Sequence, residues 1–191
     1  MIFINVPNLI TMSRIILIPL IIGLYYLPSE WLSLENKNIA ATAVFILAAV
    51  TDWLDGYMAR KLNQMSAFGA FLDPVADKLI VVGALVVLLY LGRVDALVAL
   101  IVIGREIAIS ALREWMAKMG HAKSVAVAFI GKLKTVSQMV AIPLLLYHDT
   151  LFGMLDCQWL GTILINVAAV LTVISMLYYL RKALPFAATR S

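Results

Sequence analysis

Residues 52–77 read DWLDGYMARKLNQMSAFGAFLDPVAD, and four aspartates in that stretch, Asp52, Asp55, Asp73 and Asp77, lie inside or at the ends of apolar runs that look membrane-spanning. A carboxylate in hydrocarbon is costly, so it is expected to face a polar cavity and to have a function there. Asp52 and Asp55 are three residues apart and Asp73 and Asp77 four, so each pair shares one face of its helix. Between the pairs lie Gly56, Ala59, Arg60 and Gly69, giving the pattern D-x2-D-G-x2-A-R-x8-G-x3-D-x3-D.

Four carboxylates converging on one site repel one another and resist desolvation unless cations neutralise them. All-oxygen ligands select hard cations, so Mg²⁺ or Mn²⁺ is expected rather than zinc or copper. Four carboxylates also suit a two-metal cluster, with ions about 3.5–4 Å apart, of the kind that stabilises entering and leaving oxygens in phosphoryl displacement. Gly56, Ala59 and Gly69 would let a flat nucleotide approach the backbone, and Arg60 adds a fixed positive charge against phosphate. The competing reading makes these aspartates solvated caps at helix ends, which explains one such residue more readily than four.

Composition agrees with a membrane enzyme. Of 191 residues, 63% are apolar and 14% charged, unlike an ordinary soluble domain. A window of about 20 apolar residues spans a bilayer. By that measure six spans are expected, at 8–28, 38–58, 73–92, 95–116, 131–148 and 159–180. They fill nearly the whole chain, so residues 1–191 are expected to form a single transmembrane catalytic domain, an all-α bundle of six helices. A short juxtamembrane segment 1–8 precedes it and a basic tail 181–191 follows. The first apolar run resembles a signal peptide, but no small-x-small cleavage site follows it, so it is read as an uncleaved span.

Of the fifteen Lys and Arg, all but Lys37 and Arg93 fall on one side of these spans. The positive-inside rule then places both termini and all four aspartates at the cytosolic side. Glu30, Glu35, Asp95, Asp149 and Asp156 lie on the other side, and Trp31, Trp115, Trp159, Tyr25, Tyr26, Tyr178 and Tyr179 mark the predicted span ends. The net charge of +4 is explained by basic residues against anionic lipid, without nucleic acid. His121, His148 and the lone Cys157 show no ligand-like spacing or pairing.

A second region, GREIAISALREWMAKMGHAKSVAVAFIGKLKT at 104–135, carries basic residues into the spans. Arg105 lies two helical turns, about 12 Å, deeper than Arg113 on nearly the same face. Lys132 and Lys134 open the fifth span from the cytosolic side. Glu106 or Glu114 could neutralise a buried arginine. Alternatively, Arg105, Arg113, Lys132 and Lys134 form a pocket for an anionic substrate.

The aspartate pattern is identified as the signature of the CDP-alcohol phosphatidyltransferase family, which the chain matches at all eight fixed positions. An N-terminal NxPNLxTxxRIxLIP segment, REIxxSALREWMA, SVAV and GKxKTxxQM resemble the bacterial branch of that family that makes phosphatidylglycerol phosphate; the likeness runs to about residue 142. The resemblance implies a six-helix homodimer in the bacterial cytoplasmic (inner) membrane, taking CDP-diacylglycerol and glycerol 3-phosphate and releasing CMP. It also implies that Asp52, Asp55 and Asp73 hold the metals and that Asp77 completes the cluster and acts as general base. Asp52, Gly56, Ala59, Arg60 and Gly69 would hold the CDP part.

With a base available and no Ser or His nucleophile in the motif, direct in-line displacement is expected. Acceptors such as inositol phosphate or phosphatidylglycerol could use the same motif. A cation or proton transporter could also place carboxylates and basic partners in a membrane. Transporters commonly carry inverted repeats and midplane sites, whereas this chain shows no internal repeat and its carboxylates gather at one side.

Overall fold

In hydrocarbon only a helix satisfies the main-chain N–H and C=O groups within one segment, so apolar runs of this length fold as helices. The computed structural model describes residues 6–62, 67–120 and 129–188, with side chains for 9–52, 69, 71–120, 131 and 133–185. Its helices are α1 (Val6–Tyr26), α2 (Leu34–Leu62), α3 (Ala67–Tyr90), α4 (Ala96–Lys118), α5 (Phe129–Tyr147) and α6 (Cys157–Ala188). Each overlaps one expected span. Among the described residues, α1 over Leu9–Tyr26 and α6 over Cys157–Pro185 are long and apolar enough to cross a membrane unaided, and α5 adds the shorter Leu133–Tyr147. Charged residues interrupt the other three.

The helices run further than the apolar windows at several ends. Helix α6 continues through Ala188, so most of the expected tail 181–191 is helical, and α1 begins at Val6 within the expected 1–8 segment. An N-cap at Asn5, His121 and most of the 118–130 loop lie outside the described residues. A small antiparallel hairpin, β1 (Thr150–Leu151) with β2 (Leu155–Asp156), joins α5 to α6 and was not expected. Phe152 and Gly153 turn it with positive φ.

Helix α1 packs against both α2 and α3; α6 packs along α5 and also against α4; α2 on α5 ties the halves together. The main core between them includes Ile21, Phe45, Leu85, Leu88, Leu145 and Ile165. Outward faces are also apolar: Ile16, Ile46, Val86, Leu100, Val136 and Val170 are exposed. An apolar exterior over an apolar core is what a lipid-facing bundle requires.

The far end explains the two cations that broke the charge asymmetry. Buried Arg93 donates to the Leu145 and Leu146 carbonyls at 3.1 and 2.8 Å, and to Asn38 Oδ1 at 3.0 Å. Tyr25 donates to the same Asn38 oxygen at 3.2 Å, and Lys37 donates to the Leu27 carbonyl at 2.6 Å. Both cations thus serve carbonyls at helix ends, where the helix dipole favours positive charge. The acidic residues on that side do the reverse: Asp95 accepts from Leu97 N and Asp156 from Trp159 N, capping α4 and α6. Tyr179, expected at a membrane boundary, is instead fully buried with Ile109, Met116 and Ala183.

Close helix contact depends on missing side chains. A Cβ at Gly161 would lie 2.8 Å from Leu145 Cγ and 3.2 Å from the Leu145 main-chain nitrogen, so α6 meets the α5 backbone there. Gly161→Val is expected to force the pair apart at about 1–3 kcal/mol and lower the melting temperature of the purified protein by several degrees. Gly104→Ala, where a Cβ meets nothing within 4 Å, should not lower it. Equal melting temperatures for wild type and Gly161→Val would contradict this packing.

Candidate active site

Helices α2 and α3 bring their acidic residues together. Asp52 lies in the C-terminal half of α2, and Asp73 and Asp77 lie one turn apart in the N-terminal half of α3, with Pro74 between them. Each aspartate offers one carboxylate oxygen, and the three oxygens lie within 4.8 Å of one another. The side chains are partly exposed, at 44%, 41% and 46%, so they open to a polar space rather than to the packed core.

Arg14 of α1 reaches all three. Its side chain is 1% exposed; it donates to Asp52 Oδ1 and Asp73 Oδ1, both at 2.6 Å, and to Asp77 Oδ1. Sequence reasoning assigned Arg14 no role at the site. The signal that finds it is the one applied to Arg105: an arginine within a span needs an anionic partner. One guanidinium cannot neutralise three carboxylates, so the donor set retains a net demand for positive charge. Three oxygens this close, all from carboxylates, fit a hard divalent cation.

A cavity of about 670 Å³ adjoins the cluster. Asp52, Asp77 and Arg14 line it from α1, α2 and α3, while Arg105, Arg113 and Lys134 line it from α4 and α5. The structure therefore places the acidic cluster and three of the four expected basic residues around one space. Lys78, which sequence reasoning did not single out, lines it as well. Side chains of Asp55, Gly56, Ala59, Arg60 and Lys132 lie outside those described, although all five positions are helical. Gly69 is described, in the first turn of α3.

The basic wall is only partly neutralised. Glu106 Oε1 accepts from Lys134 and, at 3.3 Å, from Arg105, so a single carboxylate serves two cations. Glu114, the other candidate partner, pairs at the surface with Lys118 at 2.8 Å. Arg105 also reaches Ser175 Oγ on α6 at 3.5 Å. Arg113 stacks over the Tyr179 ring, 5.6 Å from its centroid, and no carboxylate pairs with it among the described residues. This stacking orients the guanidinium while leaving its charge available to an anion. Of the two roles weighed from sequence, structural pairing is seen for Lys134 and Arg105 with Glu106, while Arg113 has no carboxylate partner among the described residues.

A narrower apolar groove meets the cavity at Ala49 and Met139, which line both. Phe45, Ile46, Val50 and Pro143 complete it between α2 and α5. Ile46 and Val50 face outward, so the groove leads from the polar site to the lipid-facing surface. Polar chemistry and an apolar exit thus share one wall.

Known proteins carry the same arrangement of sequence. The family model for CDP-alcohol phosphatidyltransferase matches residues 4–174. The CDP-diacylglycerol–glycerol-3-phosphate 3-phosphatidyltransferases of Escherichia coli (strain K12) and of Shigella flexneri serotype 5b (strain 8401) are each 49% identical to this chain over 181 residues. Those alignments cover 94% of this chain and 94% of each relative. A family match over most of the length, with the aspartate signature complete and three of its carboxylates converging in space, leads to one conclusion. The chain belongs to the CDP-alcohol phosphatidyltransferase family.

Proposed function

We propose that this protein transfers the phosphatidyl group from CDP-diacylglycerol to glycerol 3-phosphate, giving phosphatidylglycerol phosphate and CMP. The observation that carries the reading is the shared cavity, with Asp52 and Asp77 on one wall and Arg105, Arg113 and Lys134 on the other. A nucleotide diphosphate and a phosphorylated alcohol need opposite supports, cations held by carboxylates for one and basic side chains for the other. The names of the relatives match that pairing.

In this reading Asp52, Asp55, Asp73 and Asp77 hold Mg²⁺ or Mn²⁺, as two ions. The bound metal supplies charge neutralisation at the diphosphate and the departing CMP. Gly56, Ala59 and Gly69 leave room for the cytidine, and Arg60 opposes its phosphate. Arg105, Arg113, Lys132 and Lys134 hold the acceptor phosphate. Asp77 accepts the proton from the attacking hydroxyl. The hydroxyl oxygen bonds to the lipid-bearing phosphorus as the phosphorus–oxygen bond to CMP breaks, without a covalent enzyme intermediate. The acyl chains lie in the groove between α2 and α5. Both termini and the cavity mouth are cytosolic, the protein sits in the bacterial inner membrane, and it works as a homodimer.

Four measurements test this. Purified protein with CDP-diacylglycerol should release CMP with glycerol 3-phosphate, and poorly with glycerol, inositol phosphate or phosphatidylglycerol. Chelation should stop release, and Mg²⁺ or Mn²⁺ should restore it where Ca²⁺, with its longer and more numerous ligands, does not. Undiminished turnover in metal-free protein would overturn the metal assignment. Asp77→Asn should abolish turnover while leaving CDP-lipid binding intact; turnover within tenfold of wild type would remove Asp77 from the base role. Arg113→Ala should raise the acceptor KM by roughly tenfold to a hundredfold, the value of one charge-assisted contact, with little change in donor KM. Equal changes in both constants would place the phosphate elsewhere.

A further inference from the structure

Gln138 lies on α5, one turn beyond Lys134, on the same helix face and deeper along the cavity. It is 3% exposed, and its Oε1 is buried without a hydrogen-bond partner. A buried amide left in that state is costly, and native structures seldom keep one without a use for it. The other neutral polar side chains nearby have committed their protons: Ser110 Oγ donates to the Glu106 carbonyl at 2.6 Å and Thr135 Oγ1 to the Gly131 carbonyl at 2.9 Å. Both line the same cavity and have no proton left to donate, so among the described neutral lining side chains Gln138 is the one whose donor and acceptor are both uncommitted.

An amide is poorly suited to phosphate, which the neighbouring cations serve better. It is well suited to a hydroxyl, because it can donate to one lone pair or accept one proton whichever way the amide is turned. Under the proposed function the acceptor brings three polar groups. Its attacking hydroxyl meets Asp77 and its phosphate meets the basic wall, which leaves the middle hydroxyl without a partner. We infer that Gln138 binds this middle hydroxyl and thereby selects a vicinal diol phosphate over a simple alcohol phosphate. The inference rests on the acceptor reading given above and adds a specificity-determining residue to it.

The test compares glycerol 3-phosphate with 3-hydroxypropyl phosphate, which keeps the attacked primary hydroxyl and the phosphate but lacks the middle hydroxyl. Wild type should favour glycerol 3-phosphate by about tenfold in kcat/KM, the scale of leaving one buried polar group unpaired. Gln138→Met should lose about that factor on glycerol 3-phosphate and show nearly equal kcat/KM for the two acceptors, with donor KM unchanged. Ser110→Ala should keep the full wild-type preference. If Gln138→Met retains that preference, or if Ser110→Ala abolishes it, Gln138 does not read the hydroxyl. Should Gln138→Met fold poorly, Gln138→Leu gives the same comparison. Equal use of both acceptors by wild type overturns the inference with no variant at all. Failure of wild type to release CMP with glycerol 3-phosphate would instead overturn the acceptor reading, and this inference with it.

Discussion

Three carboxylate oxygens within 4.8 Å of one another repel strongly, and the bundle is arranged around the need to neutralise them. At a separation of ~4 Å and an effective dielectric of 20, each like-charged pair costs about 4 kcal/mol. Arg14 supplies three attractions at shorter range, which offsets the three repulsions, yet its own burial carries a desolvation cost. The balance holds only if Asp52, Asp73, Asp77 and Arg14 arrive from three helices in register. That requirement explains why α1 packs against both α2 and α3. It also explains why the acidic ends of α2 and α3 lie at the mouth, where water and cations can reach them.

The opposite wall follows a different rule. Lys134, Arg105 and Glu106 form a triad with a net positive charge, and Arg113 adds another through its position on Tyr179. Keeping a second cation of this kind beside the acidic cluster, instead of pairing the two walls directly, leaves both sets of charges available to ligands. Direct ion pairs across the space would have been the cheaper fold. No such pair joins the described residues of α4 and α5 to the aspartates, which supports the anion-binding role proposed for this wall.

The architecture was legible from the chain because apolar length reports membrane thickness directly. The fourth span expected at 95–116 became α4, Ala96–Lys118, and the fifth at 131–148 became α5, Phe129–Tyr147. Where the two diverge, as at Ala67 in α3 or Ala188 in α6, the helix has continued into the polar mouth, which hydropathy does not register. The aspartates were legible because a repeated charge in an apolar run has few other uses. Arg14, Tyr179 and Gln138 were not, since each takes its meaning from a partner or a vacancy on another helix. Arg93 and Lys37 looked like exceptions to a charge rule until the carbonyls they serve were located. The hairpin at 150–156 carries no strong alternation and depends on the left-handed pair Phe152 and Gly153.

The Arg93–Asn38–Tyr25 knot and the Lys37 contact tie α1, α2, α5 and the α3–α4 connection at the end away from the aspartates. A bundle knotted there is a cup rather than a tunnel, because the polar cavity is not lined by any member of that knot. Chemistry in a cup is confined to one leaflet. Under the proposed function the lipid donor would enter from the leaflet beside the mouth, and the lipid product would return to that same leaflet. Populating the opposite leaflet with the product would then require a separate lipid-translocating activity.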